Sequence, residues 1–160
     1  MLGLYYVDDE RGMKKFIKSY IEILNKNQKK IDFNNKNMYC GEGAVDAFFN
    51  EVVHLDSDEL SKYLFLLDVR MPVPRGLNNA DVWGEYRGAR SDVCGFALAR
   101  YLLNKKIKIN QIRLFSAYRD IINNEIINFF DSENDWYIFI SKYDLDVVFF
   151  EEWLKDLSAI

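Results

Sequence analysis

Short apolar runs alternate along this chain with longer amphipathic stretches, and that alternation constrains the fold more than any other feature. The runs occupy 4–7, 37–40, 63–67, 112–115 and 137–140. The clearest, Tyr63-Leu64-Phe65-Leu66-Leu67, is apolar at every position, as a strand buried on both faces must be. The stretches between them carry helical spacing. Met13, Phe16, Ile17, Tyr20, Ile21 and Leu24 mark a first helix, and Val45, Phe48, Phe49 and Val52 a second. A third is expected over 93–103, with Phe96, Ala99, Leu102 and Leu103 inward. Ile122, Ile126, Phe129 and Phe130 mark a fourth, and 145–157 makes a fifth.

Strand and helix in regular alternation predict a parallel sheet with helices on both faces. Right-handed crossovers leave few ways to connect it. At 160 residues the expected fold is one α/β domain spanning 1–160. Its sheet is flavodoxin-like and doubly wound, five parallel strands in the order 2-1-3-4-5. The segment 73–93 fits no element; it is long for a connection in a compact domain and reads as an inserted loop.

Composition narrows the function. The net charge is −4, and the one dense basic run, Lys105-Lys106-Ile107-Lys108, lies between elements, so no nucleic-acid surface is expected. No apolar stretch approaches a membrane span, and the start of the chain lacks the features of a signal peptide. Cys40 and Cys94 match no metal spacing and read as reduced thiols, and the lone His54 as a surface residue. The expectation is a soluble cytoplasmic protein.

In a doubly wound sheet, ligands bind beyond the carboxyl ends of the strands. There this sequence places Asp8-Asp9-Glu10 after the first run, Asp68 after the third, Ser116 after the fourth and Lys142 after the fifth. Any one of them alone is more often a cap or a surface group. Together they bring carboxylates, a hydroxyl and an ammonium into one crevice. Clustered carboxylates repel unless a cation or a proton compensates. A divalent ion such as Mg²⁺, held by carboxylates and phosphate oxygens, suits that need. The set is a minimal kit for moving a phosphoryl group onto a carboxylate.

The same residues carry a family resemblance. Val7-Asp8-Asp9-Glu10, Leu67-Asp68-Val69-Arg70-Met71-Pro72, Leu114-Phe115-Ser116-Ala117-Tyr118 and Phe139-Ile140-Ser141-Lys142 resemble, in order, the site motifs of receiver domains of two-component response regulators. Gly41 to Ala47 is similar to the start of the family's second helix. The resemblance implies that Asp68 is the phosphoacceptor. It implies that Asp9, Asp68 and the backbone carbonyl of Arg70 ligate Mg²⁺ (or Mn²⁺), with Asp8 acting through water. Ser116 and Lys142 would bind the phosphoryl group, and Ser116 and Phe139 would form the switch. The implied partners are a histidine kinase or histidine phosphotransfer protein and a downstream protein target; a homodimer is compatible with the reading. No separate enzymatic output is expected.

Three departures stand out. Tyr143 follows Lys142 where the family usually has proline, so a trans bond is expected. Phe139 replaces the common Tyr and offers no hydroxyl. The 73–93 loop carries Trp83, Tyr86, Arg87 and Arg90, residue types that anchor interfaces, and reads as either a partner-docking element, a lid or decoration. Arg70 and Tyr118 are expected to shield a phosphoryl group from water and so tune its lifetime. Two other functions share the kit: an unphosphorylated binding module on the same scaffold, and a Mg²⁺-dependent phosphohydrolase using Asp68 as nucleophile. Arg70, where a hydrolase would carry a second Asp, argues against the last.

Overall fold

The computed structural model describes residues 1–26, 30–71, 94–117 and 133–158. Six strands form one sheet: β1 (Leu2–Asp8), β2 (Ile31–Asp32), β3 (Met38–Cys40), β4 (Tyr63–Asp68), β5 (Ile112–Ser116) and β6 (Phe139–Ser141). The order is β2-β1-β4-β5-β6, and β3 also pairs with β1. Every pairing is parallel. β4 takes one edge of β1 from Gly3 to Val7, so β2 and β3 divide the other edge between them. Where one second strand was expected there are two short pieces, separated by a 3₁₀ turn at Asn35–Asn37 that Asn34 caps through its side chain.

Alternation within the strands builds two cores, one on each face of the sheet. Tyr5 and Val7 of β1, Phe65 and Leu67 of β4, and Ile112 and Leu114 of β5 pack against α2 (Ala44–Val52) and α4 (Cys94–Asn104). Leu4 and Tyr6, Leu64 and Leu66, and Phe115 face the other way, against α1 (Lys14–Asn25) and α5 (Val147–Ser158). Burial on both sides explains why these strands read as continuous apolar runs. Among the described residues no helix is long and apolar enough to cross a membrane.

Several expectations need correction. Phe16 is 53% exposed, because α1 turns Ile17, Ile21 and Leu24 inward and leaves Phe16 about a quarter-turn away. The fifth strand begins two residues later than expected, since Tyr137 and Ile138 belong to a 3₁₀ segment, Glu133–Ile138. Ile138 is buried there, and the ring of Tyr137 lies 5.0 Å from the Arg113 guanidinium. A one-turn helix, α3 (Ser57–Leu60), was not anticipated. It is fixed by a capping box in which Asp56 Oδ1 accepts from Glu59 N at 2.8 Å and Glu59 Oε2 accepts from Asp56 N at 2.9 Å. The expected fourth helix and the 73–93 loop lie outside the described residues.

A charge is also buried at the opposite, amino end of a strand. Arg113 of β5 is 2% exposed, in a strand that reads as apolar. Its guanidinium donates to the carbonyls of Asn110 and Ile112 and to Asp156 Oδ2 at 2.8 Å, with the Trp153 ring 5.1 Å away. Trp153 Nε1 also donates to the Asn110 carbonyl. These bonds fasten α5 to the sheet at the end opposite the acidic residues.

Candidate functional site

β1 and β4 are neighbours and run in parallel, so their carboxyl ends open on the same side. Asp8 ends β1, Asp9 follows it, and Asp68 ends β4. Each of the three can offer a carboxylate oxygen such that all lie within 4.8 Å of one another. Asp8 is fully buried, Asp68 is 6% exposed and Asp9 is half-buried. Three acids this close and this dry cannot all ionise without compensation. Burial, and next the charge of Asp8, push the Asp68 carboxyl up to about 9. Burial and the charges of Asp8 and Glu10 also raise Asp9.

Lys142 supplies part of the compensation. It opens a 3₁₀ turn directly after β6, and its ammonium is 3.5 Å from Asp8 Oδ2 and 3.6 Å from Glu10 Oε2. Burial pulls its pKa down, but Asp8, Asp68 and Glu10 more than offset that and leave it raised. The described ion pairs of Lys142 are therefore with Asp8 and Glu10, and it acts on Asp68 through its charge. No peptide bond among the described residues is cis, so Tyr143 follows in trans. The turn that a proline would have set is held instead by Ser141 Oγ, which accepts from Tyr143 N at 3.3 Å.

The remaining candidates fall around the same opening. The Arg70 N–H donates to Asp68 Oδ1 at 3.1 Å, and its side chain lines a cleft of about 370 Å³ together with Glu10, Asp68, Ala117 and Lys142. Ser116 is buried at the end of β5, one position beyond Phe115, the residue paired with Asp68. Phe139 starts β6 opposite Leu114, half-buried against the core that α2 and α4 cover. Tyr118, Trp83, Tyr86, Arg87 and Arg90 lie outside the described residues.

Compared with protein-family models, curated proteins and solved structures, the chain matches none. The site must therefore be judged on its own chemistry. Hard carboxylate oxygens in a mutually repelling cluster, beside a half-buried ammonium, suit a small hard dication and the oxygens of a phosphoryl group.

Two contributors, Tyr6 and Gly95, carry no role in the sequence-based site, and a third, Glu10, is placed there at the strand end without a partner. Tyr6 is fully buried and donates to Asp8 Oδ2 at 2.7 Å. A tyrosine inside an apolar strand needs a partner for its hydroxyl, and an acid two residues on shares its face; that was the available signal. Glu10 pairs with Lys142, and its N–H donates to Asp8 Oδ1 at 2.9 Å. Gly95 packs on the segment that carries Asp68: a Cβ there would lie 2.1 Å from the Asp68 carbonyl oxygen. Its N–H donates to the Val69 carbonyl at 3.2 Å, so α4 begins on the backbone that carries Asp68.

Proposed function

We propose that this chain is a receiver of a two-component system, a cytoplasmic switch that accepts a phosphoryl group on Asp68 and signals by protein contact. One observation carries the reading. Asp8, Asp9 and Asp68 meet at the carboxyl ends of adjacent parallel strands, with the Lys142 ammonium against Asp8. The sheet supports the reading: its parallel order β2-β1-β4-β5-β6 is broadly flavodoxin-like, and we read β2 and β3 as one interrupted edge strand of the order 2-1-3-4-5.

Asp9, Asp68 and the Arg70 carbonyl would hold Mg²⁺ or Mn²⁺, with Asp8 acting through water. The ion supplies charge neutralisation for carboxylate and phosphoryl oxygens in one place. A free Asp68 oxygen, deprotonated once its neighbours' charge is balanced, attacks phosphorus of a phosphohistidine on a kinase or phosphotransfer protein. A P–O bond forms, the P–N bond breaks, and its electron pair leaves with the imidazole, which takes up a proton. Lys142 and Ser116 pair with the phosphoryl oxygens. The arriving charge draws Ser116 and frees space beside Phe139, which repacks at the sheet edge, biasing a two-state element. No separate catalytic output is part of this reading.

The test is intact mass after incubation with acetyl phosphate and Mg²⁺. A gain of one phosphoryl group, lost with EDTA and in Asp68→Asn, is expected. Multiple turnover of a phosphate ester would favour the hydrolase, and no gain from any donor would leave a binding module.

A further inference from the structure

Both oxygens of Asp8 are already engaged by donors of this chain. Oδ1 accepts from Glu10 N at 2.9 Å. Oδ2 accepts from the Tyr6 hydroxyl at 2.7 Å and lies 3.5 Å from Lys142 Nζ. Each carboxylate oxygen has about two lone-pair positions, so Oδ2 is filled while Oδ1 keeps one. The Tyr6 ring cannot withdraw: it is fully buried and stacked on Phe115, centroids 5.8 Å apart. A direct bond from Asp8 Oδ2 to a metal ion would have to displace a fixed donor. Asp68 is held differently: its Oδ1 accepts from the Arg70 N–H at 3.1 Å, and its carboxyl hydrogen-bonds that of Asp8, a contact between two acids that a cation would replace.

We propose that Tyr6 sets the ion selectivity of the carboxylate cluster, holding Asp8 Oδ2 away from the ion and denying Asp8 a two-oxygen bond to it, so that the site favours Mg²⁺ over Ca²⁺. The inference rests on the metal-assisted reading above. Mg²⁺ keeps several waters and takes one or two carboxylates, whereas Ca²⁺ wants six to eight oxygens and tolerates irregular geometry. A cluster whose third carboxylate has one oxygen committed to Tyr6 offers enough ligands for the first ion and fewer than the second wants. Tyr6 is thus a positioning residue, acting through Asp8.

The experiment is calorimetric titration of the full chain with Mg²⁺ and with Ca²⁺, no phosphodonor present, for wild type and Tyr6→Phe. The phenyl ring keeps the stacking and removes only the donor. The expected result is a gain in Ca²⁺ affinity relative to Mg²⁺ of roughly tenfold, the scale on which groups that orient metal ligands act. An unchanged ratio, with both ions still binding, would overturn the role of Tyr6 and leave the receiver reading standing. Binding of neither ion by wild type would overturn both. Should Tyr6→Phe fail to fold, Asp8→Asn and Asp9→Asn decide the matter. The first should cost Mg²⁺ affinity clearly less than the second, and equal losses would refute the clamp.

Discussion

Asp68 is held in a state that costs the folded protein something at neutral pH. Its carboxyl is raised from the ordinary 3.8 to about 9, by burial first and by Asp8 next. Below pH about 4 the folded and unfolded chains both carry the proton, and between about 4 and 9 only the folded chain does. Stability from this group therefore falls as pH rises across that window and levels off above it. Without divalent ions, Asp68→Asn should melt higher than wild type at pH 8.5, with a smaller gap at pH 5. A gap constant across pH would show that Asp68 ionises freely. Millimolar Mg²⁺ should raise the melting temperature of wild type and leave Asp68→Asn nearly unmoved, because only a folded site with its acids intact binds the ion. The acids themselves were legible in the sequence because each follows an apolar run. The clamp on Asp8 was not, because Tyr6 looks like one more apolar residue until its hydroxyl has a position.

At the scale of elements, the junction between β4 and α4 is the tightest constraint on the site. Gly95 leaves no room for a side chain above the Asp68 carbonyl. Gly95→Ala should cost roughly 1–3 kcal/mol by overpacking and also displace Asp68. Urea unfolding measures the first effect and the rate of phosphoryl uptake the second; a variant as stable as wild type would mean that α4 yields easily. The other junction, between β5 and α5, turns on Arg113. Asp156→Ala should cost no more than about 1 kcal/mol, since the side chain of Asp156 is half-exposed and screened. Arg113→Ala should cost roughly 3 kcal/mol, because it empties the space between Tyr137 and Trp153. Equal costs for the two would contradict that division. Among the described residues, the longer strands and the helices α1, α2, α4 and α5 followed from periodicity. Three features did not: the split edge strand, whose pieces are too short to show a period; α3, a single turn made by its caps; and Arg113, whose burial depends on partners distant in sequence.

Across the whole molecule, the two faces of the sheet do different work. The α1 and α5 face is fastened at its far end by Arg113 and Trp153, and the α2 and α4 face places Gly95 against Asp68. Between them the parallel strands deliver acids from β1 and β4 and an ammonium from beyond β6 to one opening. That convergence follows from strand order, which is why the sequence alone made the cluster legible once five runs had been assigned to a parallel sheet. The central claim is that chemistry in this opening ends on one side chain. Borohydride reduces an acyl phosphate to an alcohol, so treatment after phosphorylation, followed by peptide mapping, locates the acceptor. The account predicts conversion of Asp68, and of no other acid, to homoserine, dependent on Mg²⁺. Conversion at Asp8 or Asp9 instead, or a phosphorylated protein with residue 68 unchanged, would contradict it.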